Sequence, residues 1–438
     1  MSGSQRRALA IVFGVVFLDL LGFSIVIPIL PFYARAFGGD ELAIGALAAV
    51  YSLMQFVSAP YLGSLSDRYG RRPVLVLSLC GSVVAWTIFG LAGSLAVLFL
   101  SRGLAGAMGG NIATAQAYVA DVTPPEQRAK ALGFLGAAFG LGFIVGPGVS
   151  AGLTLPGVVE AVDAALPGLV PIDRFSLPAF AAAFASLLAV VGALLFLPES
   201  RELDDAAVAG DRPSQVAALR EALADPGLRG LVVAFFLFSF AFSGVQVMFI
   251  PYVADVYGYA EAQAALLLTY IGVLAVVVQG GLIGPLTERY SSTRLTVFGA
   301  GTLAVALVAI PFTREAGVLF PDLTGVAGFL TPALLSLLFV LALLALGNGV
   351  LGVTLTALVS GQASADRQGS AFGITQGAGS LARTVGPVLM GALYASVGFQ
   401  SPFVLGGLLV LPVVAIALYL RVGEEAGEAR PADPAQAR

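Results

Sequence analysis

The sequence predicts an all-α, polytopic membrane protein with 12 transmembrane helices in two pseudosymmetric six-helix halves. Three observations carry that reading. Of 438 residues, 58% are hydrophobic and only 11% charged, whereas a soluble domain carries about 25% charged residues. The charges are missing from twelve apolar runs, each supplying the roughly 20 helical residues that cross a hydrocarbon core about 30 Å thick. The pattern also repeats: Gly63, Leu65, Asp67, Arg68 and Tyr69 recur as Gly284, Leu286, Glu288, Arg289 and Tyr290 at an offset of 221, and Gly146-Pro147 recurs as Gly386-Pro387 at an offset of 240.

Taken in order, α1 (9–31) follows Arg6 and Arg7 and is too long for a secretory signal, with no small-residue cleavage site behind it. A basic loop separates α2 (42–63) from α3 (73–93), and α4 (95–119), glycine-rich α5 (131–153) and α6 (176–197) complete a first half, residues 1–198. Residues 199–229 alternate acids and bases and read as a cytoplasmic linker, in which Ser214 to Ala224 suits a surface helix. The second half, residues 230–421, holds α7 (230–252), α8 (262–283), α9 (295–313), α10 (331–359), α11 (370–395) and α12 (401–420), with a longer loop around Thr313 to Leu330. Residues 422–438, rich in Ala, Glu and Pro, read as a disordered cytoplasmic tail. Strand-like alternation is absent, and runs this long satisfy their backbone polar groups internally only as helices.

Orientation follows from the basic residues. Of 22 Lys and Arg, Arg35, Arg174 and Arg314 fall on one side, Arg102 and Arg383 within helices, and the remaining 17 on the other side. That bias places both termini in the cytoplasm of a cell (inner) membrane. A formal net charge of −4 leaves no basic field for nucleic acid. A single cysteine, Cys80, and no histidine exclude a disulfide framework, a Cys/His metal site and an imidazole base. No nucleophile–base pair is visible, so the expectation is a non-enzyme without metal or cofactor, acting as a monomer.

Polar residues inside the bilayer are expensive and mark function. Asp19 sits roughly 15 Å along α1 and Arg383 a similar distance into α11, with Arg102 roughly 10 Å below the end of α4. All three reach toward one central cavity. Gln55, Asn111, Gln116, Gln246, Gln279, Asn348 and Gln376 lie on α2, α4, α4, α7, α8, α10 and α11, whereas α3, α6, α9 and α12 carry neither charge nor amide. Those four are expected to face lipid and the other eight a wet interior. Phe23, Phe139, Phe143, Phe240 and Tyr252 suit a flat amphipathic ligand, although aromatics at such spacings also serve plain packing. Gly146-Pro147 and Gly386-Pro387 read as hinges of α5 and α11, because small residues allow close approach and proline removes a backbone donor. Bulky substitutions at Gly146 and Gly386 are expected to slow transport.

The loop Gly63-Ser64-Leu65-Ser66-Asp67-Arg68-Tyr69-Gly70-Arg71-Arg72-Pro73 resembles the signature loop of the major facilitator superfamily. Arg102 to Gly106 with Asn111 resembles its α4 motif, and Gly142 to Pro147 resembles the α5 motif of its 12-helix drug:proton antiporters. Asp19 followed by Ile27-Pro28-Ile29-Leu30-Pro31 is similar to the opening of bacterial tetracycline and multidrug efflux proteins. The resemblance implies a cytoplasmic gate of Gly63, Asp67, Arg68, Gly70, Arg71, Arg72, Arg128, Glu288 and Arg289, with Asp67 facing the N-terminus of α11. Asp19, modulated by Arg102, becomes the proton coupler, since burial disfavours a charged carboxylate and a nearby cation favours it. No acid falls in α7 to α12 as delimited here, and Arg383 stands there instead, which departs from some tetracycline exporters. The expected function is proton-coupled efflux of a small amphipathic substrate; a sugar-like metabolite symporter or facilitator and a lipid flippase are the alternatives.

Overall fold

The structure, a computed structural model, describes residues 3–124, 127–168, 170–200, 226–362 and 368–428. Among the described residues every regular element is helical, and eleven helices are long and apolar enough to cross a membrane. The twelfth expected span is also present as a 30-residue helix, but Arg383 and its glycines, serines and threonines lower its hydropathy below that of the eleven. The observed spans are α1 Gly3–Val26, α2 Glu41–Tyr69, α3 Arg71–Gly90, α4 Leu95–Met108 with Asn111–Val122, α5 Arg128–Leu153 and α6 Ser176–Phe196. They continue as α7 Pro226–Tyr257, α8 from Glu261 to Arg289, α9 Ser292–Ala309, α10 Pro332–Gln362, α11 Gln368–Val397 and α12 Ser401–Glu428.

Local chemistry sets several of these ends. Asp40 caps α2 by accepting from Ala43 N at 2.9 Å, which satisfies one of the free amides of a helix start. Gly70 ends α2 with φ +97°, a conformation that side chains disfavour, and the chain turns directly into α3. α4 breaks at Gly109-Gly110, and α8 widens into a π-helical turn at Val278–Leu282, a distortion that recurs at functional sites. α12 continues to Glu428, past the expected boundary at 421, while the surface helix expected at Ser214 to Ala224 and residues 429–438 of the tail lie outside the described residues.

Contacts divide the chain into two compact units. The first joins residues Met1–Arg212 to Ser243–Val273 and Arg383–Pro402, and the second takes Pro213–Phe242, Leu274–Ala382 and Phe403–Arg438. In the first, α1 packs on α5 and α6, α2 on α4, and α3 on α4 and α6. α6 buries a face of small residues, including Ala179, Ala182, Ala189 and Ala193, and exposes Phe184, Leu187, Leu188, Val191, Leu194 and Leu195. Small residues inside and large apolar ones outside is the arrangement for a helix bordered by lipid, where close backbone approach rather than burial from water drives packing. In the second unit α9 packs on α10, with Thr296 donating to Thr354 across them at 2.9 Å.

Candidate functional site

Asp19 is partly buried on α1, and its carboxylate accepts from Asn111 Nδ2 at 3.1 Å. Asn111 starts the second half of α4 because Gly109-Gly110 interrupts that helix. The interruption is held against α2: Gln55 Nε2 donates to Gly109 O at 3.0 Å, and a Cβ on Gly110 would lie 2.9 Å from Ser58 Oγ. Gln55 therefore bridges helices, and Asn111 presents itself to Asp19. Ser82 of α3 bonds the same carboxyl group. A cavity of about 10 Å³, lined by Asp19, Asn111, Val15, Leu79 and Ala115 among others, is about the size that holds one water.

Arg102 lies nearby and is buried to 4% exposure. Its guanidinium stands 4.5 Å from the ring centre of Tyr51, 5.6 Å from Phe23 and 5.9 Å from Trp86. Phe143 closes the cluster edge-on to Phe23 at 6.0 Å. Desolvated cation–π contacts contribute about 2 kcal/mol, and they compensate the guanidinium here in place of an acid. Arg102 and Asp19 form no ion pair: the carboxylate takes Asn111 and Ser82, the guanidinium takes rings. Nε of Arg102 and Nε1 of Trp86 are buried with no hydrogen-bond partner among the described residues. Tyr51 lies within electrostatic range of Asp19, Arg102 and Arg383 together, so the three charges share one neighbourhood, Arg102 buried, Asp19 half-buried and Arg383 exposed.

The aromatic wall contains two residues that sequence reasoning missed, Tyr51 and Trp86. Trp86 and Ser82 also correct the expectation for α3, which was assigned wholly to lipid: one of its faces carries both side chains into the site. Phe139 packs partly buried on the core beside α1. Phe240 packs against Phe236 with their rings tilted, and Tyr252 is fully buried against Tyr257 and Phe399, so both serve packing. Gln116 and Gln246 are exposed. In the second unit Gln279 is exposed in the π-helical turn, and Asn348 has a buried Oδ1 without a partner among the described residues; the side chain of Gln376 lies outside the described residues. α5 meets α1 where a Cβ on Gly146 would collide with Ser24, whose Oγ donates to Gly142 O at 2.7 Å. Pro387 presses its carbonyl on Gly45 of α2, where a Cβ would collide, and Gly386 and Pro387 are buried.

At the face where the chain starts, Arg71 organises the signature loop. It pairs with Asp67 at 2.8 Å and Asp121 at 3.0 Å and donates to Ser66 Oγ at 2.6 Å. Glu199, at the end of α6, accepts from Arg71 N at 2.8 Å and Arg72 N at 3.1 Å, so a carboxylate caps the positive end of α3. Arg72 reaches the carbonyls of Ala193 and Leu194. Arg128 donates to Ala120 O at 3.1 Å and Thr123 O at 3.3 Å, closing the end of α4. Arg68, Glu288 and Arg289 are exposed. The expected partner of Asp67, the start of α11, adjoins residues 363–367, which lie outside the described residues. Glu199→Ala is expected to lower the thermal midpoint in detergent by a few degrees, since losing a charged cap costs about 1 kcal/mol.

The opposite face of the first unit is tied by a second network. Arg35 pairs with Glu41 at 2.6 Å and, in a two-pronged contact of 2.7 and 2.9 Å, with Asp255; Tyr394 Oη donates to Asp255 Oδ2 at 2.6 Å. Asp255 belongs to α7 because that helix runs on to Tyr257, which corrects the expected end at 252 and the absence of acids from the later helices. Burial works against the charge on Arg35, and its hydrogen bonds to Asp255 and Glu41 more than offset that, raising its pKa. Beside it, burial and then the charge of Asp173 push the Tyr33 hydroxyl up to about 12, so it stays protonated and donates to Ala92 O at 2.7 Å. Arg174 and Glu261 add a pair at 3.4 Å.

Comparison with known proteins identifies the family and the fold. The family model described as Major Facilitator Superfamily matches residues 12–320 and 316–437. The chain is 30% identical over 396 residues to the class C tetracycline resistance protein of Escherichia coli, covering 90% of this chain and 91% of the relative. It is 31% identical over 395 residues to the class G protein of Vibrio anguillarum, with the same coverage. Among solved structures it superposes on the human organic anion transporter MFSD10 with a TM-score of 0.63 and 25% identity, over 95% of this chain and 100% of that one. The chain therefore belongs to the major facilitator superfamily, as a membrane-spanning transporter of small molecules related to the tetracycline and multidrug resistance proteins.

Proposed function

We propose that the protein exports hydrophobic or amphipathic compounds from the cytoplasm by alternating access, coupled to proton entry, and that it works as a monomer in the cell (inner) membrane with both termini cytoplasmic. The observation that carries this reading is the pairing of Asp19, a carboxyl group in a membrane helix beside a water-sized cavity, with an aromatic-lined guanidinium close by. Asp19 is the group that takes up and releases a proton; Asn111 and Ser82 orient it; the half-buried Phe23, Tyr51 and Phe143 offer flat surfaces to a substrate, with Trp86 buried behind them. Gly146-Pro147 and Gly386-Pro387 are where α5 and α11 flex. The test is a panel of dyes and drugs in proteoliposomes, with and without an imposed pH gradient. Gradient-driven accumulation supports the reading, and equal flux with and without the gradient removes the proton from it.

A second reading concerns substrate charge. Two guanidinium groups and one carboxylate act on Tyr51, and the unpartnered Nε of Arg102 is a donor suited to an acceptor-bearing, anionic compound. Arg102→Lys keeps the charge and loses planar stacking and the fork of donors. It is expected to raise the apparent KM for anionic dyes about tenfold, the loss of one desolvated contact of roughly 1.4 kcal/mol, with a smaller effect on cationic dyes.

A further inference from the structure

A groove of about 450 Å³ opens where the start of α1, the end of α4 and the start of α5 converge. Its walls are apolar, with Leu9, Phe13, Val119 and Phe134 among them, and Arg6 and Lys130 stand at its mouth. Phe134 is 57% exposed, so the groove is open along its side. No carboxylate pairs with Arg6 or Lys130 among the described residues, and Gln127, which begins α5, supplies no side-chain cap. Among the described residues, two cations without a carboxylate partner and a helix start without a side-chain cap thus face one small opening. The basic-residue bias puts this end of the bundle at the cytoplasmic surface.

We propose that this groove binds one anionic phospholipid of the cytoplasmic leaflet. The acyl chain lies along the wall formed by Leu9, Phe13 and Phe134, and the phosphate sits between Arg6 and Lys130 against the first turn of α5. Apolar lining and a cationic rim at headgroup height are what an anionic lipid requires, and basic pockets between membrane helices on the cytoplasmic side bind such headgroups. A contrast comes from the second unit, where a groove of about 500 Å³ beside Val305, Val308 and Leu408 has no charged residue in its lining. That groove fits a chain and offers nothing to a headgroup.

The test is native mass spectrometry of the full-length protein in detergent, titrated with phosphatidylglycerol or phosphatidylcholine. One phosphatidylglycerol is expected to be retained in preference to phosphatidylcholine. The double variant Arg6→Gln/Lys130→Gln is expected to weaken it about tenfold or more. Arg7→Gln, one residue along and outside the lining, is expected to leave it unchanged. Ala10→Trp, which fills the groove and keeps both charges, is expected to weaken it too; the double variant decides should Ala10→Trp fail to fold. Equal loss in Arg7→Gln, equal retention of phosphatidylcholine, or displacement of the lipid by a transported dye each overturns the proposal.

Discussion

Asp19→Asn is expected to abolish pH-driven uptake into inverted vesicles while leaving the protein folded. Asparagine has the size of aspartate and keeps an oxygen that accepts from Asn111 Nδ2, the contact now 3.1 Å long. What it lacks is the exchangeable proton. Helicity, expression and thermal midpoint should therefore match the parent, because Asn111 keeps its acceptor and the new amide nitrogen has the Ser82 hydroxyl oxygen to donate to. Exchange of substrate across the membrane without a gradient should persist, since it requires the conformational cycle alone. Concentrative uptake should fall to the level of protein-free membranes. A variant that still pumps against a gradient removes Asp19 as the coupling group and leaves it a structural partner of Asn111.

Arg35→Gln and Asp255→Asn are expected to shift the conformational equilibrium toward states open on the face that carries these residues. Within the first unit Arg35 ties a short helix before α2, Leu30–Ala36, to α7, and Tyr394 extends the tie to α11. A single exposed pair contributes under about 1 kcal/mol. Here a two-pronged guanidinium–carboxylate contact is joined by Glu41 and a tyrosine hydroxyl in one network, so about 1–2 kcal/mol is the appropriate scale even though Asp255 is exposed. That corresponds to a change of roughly 5- to 30-fold in the ratio of two states. Distances between spin labels on α2 and α7 near this face, in a background with Cys80 replaced, report the shift. The double variant should move the equilibrium no further than the stronger single variant, because both remove the same network. Unchanged distance distributions in both variants make the network a surface ornament.

Much of the site was legible because the bilayer penalises charge. Asp19 and Arg102 stand out in apolar runs for no other reason than cost, and the fold brings them and Arg383 within range of one tyrosine. Tyr51, Trp86 and Ser82 were not legible: an aromatic ring or a hydroxyl costs little in a membrane helix, so its presence carries no signal about which way it faces. The amides show the same limit from the other side. Gln55 was visible as polar, yet its bond to Gly109 follows from a break in α4 that sequence alone leaves undefined. Asp255 lies beyond the expected end of α7 at 252, whereas the helix runs through Pro251 to Tyr257, since a membrane helix tolerates proline when its neighbours hold the freed groups.

The sequence by itself determined the number of spans, their helical nature, the superfamily and the charged residues that a membrane does not carry idly, because bilayer thickness and desolvation act on each segment alone. Only the tertiary structure decided which partner each polar group takes: Asn111 for Asp19, rings for Arg102, Glu199 for the start of α3, Asp255 for Arg35. Those choices depend on the rotation and depth of one helix against the next, set by glycine contacts such as Gly146 on Ser24, and no property of an isolated segment encodes them.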